Sequence, residues 1–132
     1  MSTRCFIGVL CNDDSVRGVY CHSDGYPDGV GKMLREHYSS GKCAMELLGL
    51  GSLSCLKPRM WPEEHEYHTF DDPIPDVVIA YHRDRGEPWE PPQMYKNVED
   101  AIRHAGRDCG AQWLYVWDGE QWNFHQASQW VY

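Results

Sequence analysis

Two short stretches of the sequence place a histidine two residues before an aspartate, His22-x-Asp24 and His82-x-Asp84. Each histidine lies at the predicted end of a β-strand, and residues i and i+2 of a strand project from the same face. An imidazole and a carboxylate on one face can bind a metal ion, or act as a general base and its orienting carboxylate. The two pairs therefore suggest a site that hydrolyses or sequesters a nucleotide-like ligand. The alternative interpretation is that each aspartate begins a turn and each histidine fills a half-buried strand end.

Three further residues belong to this hypothetical ligand site. Arg83 and Arg85 lie on either side of Asp84, and two guanidinium groups at this spacing can bind one anion. Tyr26, in the turn after the first His-x-Asp pair, is the third member of the predicted ligand set. The competing interpretation is a salt-bridged turn, in which Asp84 and Glu87 neutralise both arginines.

The other patterns that hold metals or phosphates are weaker. His65 and His68 have the H-x-x-H spacing, but they follow Pro62 in a segment without helical periodicity. None of the six cysteines is in a C-x-x-C pair, and the glycine-rich stretch 24–31 lacks the spacing of known phosphate-binding loops. We therefore predict no cofactor and no bound metal, and expect most of the cysteines to be reduced core residues.

The acidic residues are concentrated in one part of the chain. There are 12 Lys and Arg against 20 Asp and Glu, and a formal net charge of −8 argues against direct nucleic-acid binding. A proline-rich segment at 56–75, here called the acidic loop, shows no period and contains acids but few basic residues. Loops of this length are uncommon unless they are functional or mobile. We predict that it binds a basic surface of a partner protein through five acids: Glu63, Glu64, Glu66, Asp71 and Asp72.

A single α+β domain spanning residues 1–132 must position these residues. We expect a mostly antiparallel sheet of about five strands, packed with two or three helices, in the order β-β-α-α-β-α-β-β. The predicted elements are strands at 4–11 and 16–22, helices at about 27–38 and 42–48, a strand at 76–82, a helix from the Asn97 cap to about Gly106, and strands at 112–117 and 120–125.

Two of these predictions are specific enough to test in detail. Residues 76–82 form a nearly continuous apolar run, which is typical of a central strand buried on both faces. Asp118-Gly119 is typical of a two-residue hairpin turn, and pairing Trp117 with Glu120 puts five aromatic side chains on one face. We expect that face to pack against a helix in the core; stacking bases or docking a partner are the alternatives. Its members are Trp113, Tyr115, Trp117, Trp122 and Phe124.

The segment from Gly18 to Gly31 contains the pattern Y-C-H-x-D-G-Y-P-x-G-V-G. Together with Ser2-Thr3-Arg4, the leucine-rich stretch 47–54 and the stretch 80–87, it resembles a family of small uncharacterised proteins encoded by bacteriophages and prophages. That family has no settled activity. The resemblance therefore implies a phage accessory protein in the cytoplasm of a bacterial host and supplies no reaction.

We accordingly predict a non-enzymatic phage protein that binds and inhibits or modulates a host protein, such as a component of a defence system, in the manner of an anti-CRISPR inhibitor. No apolar run approaches the ~20 residues that cross a bilayer, and the N-terminal stretch lacks the features of a signal peptide. We expect no membrane association. The aromatic residues of the tail, Trp130 and Tyr132, are typical of an added strand or an interface. The sequence is therefore compatible with a homo-oligomer.

Overall fold

The computed structural model describes residues 3–127, and the aromatic tail lies outside them. As predicted, the described chain is a small α+β domain, with seven strands in one sheet, four α-helices and a π-helical turn. In chain order the elements are β1 (Cys5–Leu10), β2 (Val16–Cys21), the π-helical turn (Pro27–Gly31), α1 (Lys32–His37), α2 (Gly41–Leu50), β3 (Leu53–Cys55), β4 (Ile79–Ala80), α3 (Tyr81–Arg85), β5 (Gln93–Tyr95), α4 (Val98–Cys109), β6 (Trp113–Trp117) and β7 (Trp122–Gln126).

The sheet has the strand order β4-β3-β2-β1-β6-β7, and β5 pairs with the same edge of β2 as β3. Four of the strand pairs are antiparallel, whereas β1–β6 and β2–β3 are parallel. The side chains of β1 alternate between the two faces, with Ile7 and Val9 in one apolar cluster and Phe6 in the other. Strand β1 is therefore the central strand, with a hydrophobic core on each side of it.

Helices cover both faces of the sheet. Leu34 of α1 and Leu47 of α2 pack on one face, and Ala101 and Ala105 of α4 pack on the other. Helix α4 begins at the predicted cap, because the side chain of Asn97 accepts a hydrogen bond from the backbone N of Asp100 at 2.8 Å. Across residues 3–127, no helix is both long and apolar enough to cross a membrane.

The ring of Phe6 lies across two glycines of the β1–β2 hairpin. Gly8 and Gly18 are register partners. A Cβ atom on Gly18 would lie 2.4 Å from Phe6 Cζ, and one on Gly8 would lie 2.7 Å from Phe6 Cε2. The ring also packs edge-on against Tyr95, with centroids 5.6 Å apart. No side chain therefore fits at either glycine while the Phe6 ring occupies this place.

The prediction of a central strand at 76–82 was wrong. Only Ile79 and Ala80 form a strand, β4, which lies at the edge of the sheet, and the chain then turns into α3. The buried Val77 and Val78 pair instead with Arg59, through a single parallel bridge and a 2.8 Å hydrogen bond from Val78 N to Arg59 O. The apolar run reflects burial under the acidic loop, which hydrophobicity alone does not distinguish from a central strand.

The predicted β6–β7 hairpin is present, but its register differs by two residues. Trp117 pairs with Trp122, not with Glu120. The Asp118 carboxylate accepts hydrogen bonds from the backbone N atoms of Glu120 and Gln121, at 2.8 and 2.9 Å, and so closes a wider loop. A shift of two residues keeps every side chain on its predicted face.

The aromatic face of this hairpin is part of the core, as expected. Tyr115 and Trp122 are buried, and their polar atoms are satisfied by backbone carbonyls. Tyr115 Oη donates to Gly25 O at 2.7 Å, and Trp122 Nε1 donates to Tyr38 O at 3.0 Å. Phe124, in the middle of the edge strand β7, is exposed.

Candidate functional site

The first His-x-Asp pair follows β2, as predicted, but its side chains bond to different neighbours. His22 Nδ1 lies 2.6 Å from Tyr20 Oη. Asp24 is exposed and has a positive φ of 55°, and its carbonyl accepts the backbone N of Val30 at 2.8 Å. Tyr26 Oη donates to the Asp24 carboxylate at 3.5 Å. Asp24 thus organises its own turn, which is the alternative that the sequence left open.

The second pair lies on the short helix α3 and not on a strand. Successive residues of a helix are rotated by about 100°, so His82 and Asp84 point in different directions. His82 is exposed, with Nδ1 2.7 Å from Glu87 O, whereas the Asp84 side chain is only 3% exposed. The shared-face argument therefore fails for this pair. In residues 3–127 there is also no group of three His, Cys, Asp or Glu side chains arranged to hold a metal ion.

The buried Asp84 carboxylate is the centre of a cluster that we call the clasp: His68, Arg83 and Asp84. Arg83 Nε and Nη2 donate to the two Asp84 oxygens at 2.9 and 3.0 Å, and the backbone N of Ala80 donates to Oδ2 at 2.8 Å. Burial raises the pKa of Asp84, but the hydrogen bonds from Arg83 and Ala80 outweigh burial and leave the pKa below its usual value. Asp84 is therefore ionised at neutral pH.

Arg83 and Arg85 have separate partners rather than a shared anion site. Arg83 also donates to the carbonyls of Met60 and Val78, at 2.7 and 2.6 Å, so its guanidinium holds three segments together. Arg85 Nε lies 3.5 Å from a Glu87 carboxylate oxygen, and its guanidinium lies 4.8 Å from the centre of the Phe70 ring. The contacts of both arginines are internal to the protein.

His68 is the member of the clasp that belongs to the acidic loop. Its Nδ1 accepts the backbone N of Ile74 at 2.9 Å, so the ring proton of the neutral imidazole lies on Nε2. Nε2 lies 3.1 Å from Val78 O and 3.3 Å from Asp84 Oδ2, and the side chain is 1% exposed. Sequence reasoning singled out His68 only as half of an H-x-x-H pair. Its structural partners are distant in sequence, and no local pattern indicates them.

A second set of ion pairs fixes the first half of the acidic loop. Arg59 donates to Asp76 at 2.8 and 2.9 Å, and to Glu66 at 2.8 and 3.3 Å. Glu66 also accepts the backbone N of Glu63 at 2.8 Å. The hydrogen bonds from Arg59 lower the pKa values of both carboxyl groups. Glu66 therefore shapes the loop from within, and the contact role stays a prediction for the other four acids.

The outer side of the loop carries exposed acids next to exposed aromatic rings. Tyr67 is 80% exposed and Trp61 is 52% exposed. The Trp61 ring is nevertheless fixed, because Nε1 donates to Glu46 at 3.3 Å and the Arg83 guanidinium lies 5.3 Å from the ring centre. We call the exposed acidic and aromatic residues of this segment the contact surface: Trp61, Glu63, Glu64, Tyr67, Asp71 and Asp72.

No protein-family model, curated protein or solved structure matches this chain.

Proposed function

We propose that this chain is a non-catalytic binding protein that holds a basic surface of a partner protein on its contact surface. In the cell, it is a phage accessory protein that inhibits or modulates a bacterial host protein, such as a component of a defence system. The observation that carries the proposal is an exposed acidic and aromatic loop that is fixed by its own internal ion pairs.

The internal bonds matter because ordering a loop at an interface reduces affinity. Arg59 already joins the two ends of the segment from Glu66 to Asp76, and His68 bonds to the backbone of Ile74 and Val78. The loop therefore keeps one shape before a partner arrives. A preorganised surface loses less conformational entropy on binding than a mobile loop of the same length.

The composition of the contact surface suits a basic partner. Binding energy at interfaces is concentrated in aromatic residues such as Trp and Tyr, and complementary charge at the rim raises the association rate. Trp61 and Tyr67 provide the rings, and the four acids provide a field that attracts Lys and Arg. The fixed ring of Trp61 is the best candidate for a central anchor.

The test is capture of partners from a bacterial lysate with three versions of the full chain. The contact variant is Glu63→Lys with Glu64→Lys. The matched control is Glu99→Lys with Glu120→Lys, which makes the same change in net charge at exposed positions on α4 and the β6–β7 loop. We expect the wild type and the control to retain the same host protein, and the contact variant to lose it. Equal retention by all three versions, or no retained protein, would contradict the proposal.

A second readout addresses inhibition of a defence system. Expression of the wild-type chain in a defended bacterial strain should raise phage plating, and the contact variant should not. The control variant should behave as the wild type does. If the wild-type chain captures a partner but does not raise phage plating, the inhibition of a defence system is contradicted and only the binding role is supported.

A further inference from the structure

Strand β7 lies at one edge of the sheet, and every second residue of it presents its backbone groups outward. In an antiparallel pair, residues that bond to the partner strand alternate with residues that point away from it. At one end of the β6–β7 ladder, Ala127 N donates to Gln112 O at 2.9 Å. At the other end, Asp118 N donates to Gln121 O at 3.1 Å. Bonding to β6 therefore occurs at the odd positions, and the even positions point outward: Trp122, Phe124 and Gln126.

The outer edge of β7 lacks the features by which proteins protect a sheet edge, which are short strands, proline, lysine and β-bulges. The other outer strands have such features. Strand β4 has two residues and leads directly into α3, and β5 has three residues between Pro92 and Lys96. By contrast, β7 has five residues in unbroken register, without proline, Asp, Glu, Lys or Arg. Within residues 3–127 no backbone group bonds to its outward positions, so this edge can accept another strand.

The outward positions are arranged symmetrically about Phe124. If a second β7 strand lies antiparallel to the first with Phe124 opposite Phe124, then Trp122 of each strand lies opposite Gln126 of the other. All of these are hydrogen-bonded pairs, in which the two residues exchange both N–H···O bonds. One copy of β7 therefore satisfies every outward backbone group of the other.

The side chains of this edge fit the same arrangement. Phe124 is 52% exposed and lies beside Trp113, with ring centroids 6.0 Å apart. Trp122, two residues away on the same face, is buried in the core. Across a two-fold axis the two Phe124 rings become neighbours, and aromatic pairs at opposite positions stabilise a sheet. On the other face, Asn123 of each strand lies opposite His125 of its partner, which pairs two polar side chains.

The charge distribution permits a second copy at this edge although the chain has a formal net charge of −8. The acidic loop is joined to the sheet beside β4, where His68 bonds to Val78 O. Strands β4 and β7 are five strand spacings apart, about 24 Å, which is about three Debye lengths at physiological ionic strength. Glu120, in the β6–β7 loop, lies eight residue positions from its counterpart along the paired strands, roughly 27 Å. The strand itself has no acid that would attract a basic partner.

We propose that two copies of this chain associate through β7, antiparallel and with Phe124 at the two-fold axis, so that their sheets join into one. The inference does not depend on the proposed function, because it uses none of the residues of the contact surface. Only one short strand of each copy forms the interface. The association is therefore weak, with a dissociation constant in the micromolar range.

The experiment follows the full chain at increasing micromolar concentrations by sedimentation equilibrium and by amide hydrogen exchange. The average mass should rise from that of one chain toward that of two. Over the same range, exchange at the outward amides of Trp122, Phe124 and Gln126 should slow. The amides of Asn123 and His125 already bond to β6 and should change little. This pattern identifies the edge and the register together.

Phe124→Lys is the decisive variant, because it places two lysines opposite each other across the axis. The fold should be kept, since the side chain of Phe124 is half exposed. Dimerisation should weaken by about tenfold through like-charge repulsion and loss of the aromatic pair. The matched control is Met94→Lys, which makes the same change in charge at a 62% exposed apolar position on β5 and should dimerise as the wild type does.

Four results would overturn the inference. The first is the mass of a single chain at every concentration, and the second is equal dimerisation by the Phe124→Lys variant. The third is an equal loss in the Met94→Lys control, which would assign the effect to net charge. The fourth is slow exchange of the outward amides at every dilution, which would show that the edge is covered within one chain. If Phe124→Lys does not fold, the concentration dependence of the wild-type amides still decides.

Discussion

The central strand β1 and the acidic loop are both well fixed, but by different forces. Cys5, Phe6 and Ile7 are fully buried, and apolar groups surround them on both faces of the sheet. The acidic loop has no regular secondary structure. Leu56 and Met60 at its start belong to the apolar core, and the rest is held mainly by charged contacts around Arg59 and Asp84. The stability of the core is spread over many apolar contacts, whereas the charged contacts of the loop depend on a few side chains. We therefore expect the charged part of the loop to open without unfolding of the sheet.

The largest expected effect is in the sheet. Phe6→Ala removes a fully buried ring and should lower the free energy of unfolding by about 3–5 kcal/mol. Urea unfolding followed by far-UV circular dichroism measures it. Met94→Ala, which removes a side chain that is 62% exposed, is the control and should change stability by about 0.5 kcal/mol or less. Similar losses in the two variants would contradict the assignment of Phe6 to the core.

The next effect should be confined to the loop. His68→Ala removes the acceptor for Ile74 N and the donor to Val78 O, which costs about 1–3 kcal/mol for the buried groups left unsatisfied. Amide hydrogen exchange should become faster in residues 56–78 while the slowest amides of β1 change little. The exposed His65 is three residues away, and His65→Ala is the matched control. Equal acceleration throughout the sheet would show that the loop and the core open together.

Acid should release the same loop. The pKa of Asp84 is lower in the folded protein than its ordinary value near 3.8, so its contribution to stability is complete above that value and is lost as the pH falls through the folded pKa. The lowered pKa values of Glu66 and Asp76 act in the same direction. Loop exchange in the wild type should therefore accelerate below about pH 4. Asp84→Asn should flatten this dependence, and an unchanged pH profile would contradict the role of Asp84.

The smallest effect on stability should accompany a large effect on binding. Tyr67→Ala removes a ring that is 80% exposed, so the free energy of unfolding should change by about 0.5 kcal/mol or less. At an interface anchor the same truncation costs about 2 kcal/mol, or roughly a 30-fold loss of affinity. The measurement is isothermal titration with the partner retained by the wild type. Unchanged affinity would show that Tyr67 is not an anchor of the interface.

The sequence predicted what local chemistry determines. The Asn97 cap, the first two strands, and the aromatic face of the β6–β7 hairpin all follow from neighbouring residues. The register of β6–β7 was not predicted because it depends on hydrogen bonds of the Asp118 side chain, which a turn rule does not count. Strand β5 was not predicted, because its three residues are too few to show a periodic pattern.

The pairing of Arg83 with Asp84 is the salt-bridged turn that the sequence offered as an alternative, but the other contacts of the clasp join residues that are distant in sequence. Arg83 bonds to Met60, 23 residues earlier, and Ile74 and Val78 bond to a histidine in a loop with no period. The prediction that His82 and Asp84 share a face assumed that they lie on a strand. The assumption was wrong, because both residues lie on helix α3. The contact role of the loop acids stays a prediction, and the sequence did not separate Glu66, which bonds within the loop, from the exposed acids.

The packing of Phe6 over Gly8 and Gly18 has a consequence for how related sequences can vary. A Cβ at Gly18 would lie 2.4 Å from the Phe6 ring and 2.5 Å from the carbonyl oxygen of Ile7, so a smaller residue at position 6 removes only the first of the two clashes. Glycine is therefore expected at position 18 in related sequences even where position 6 has lost its aromatic ring. Gly18→Ala should stay destabilising in the Phe6→Ala background.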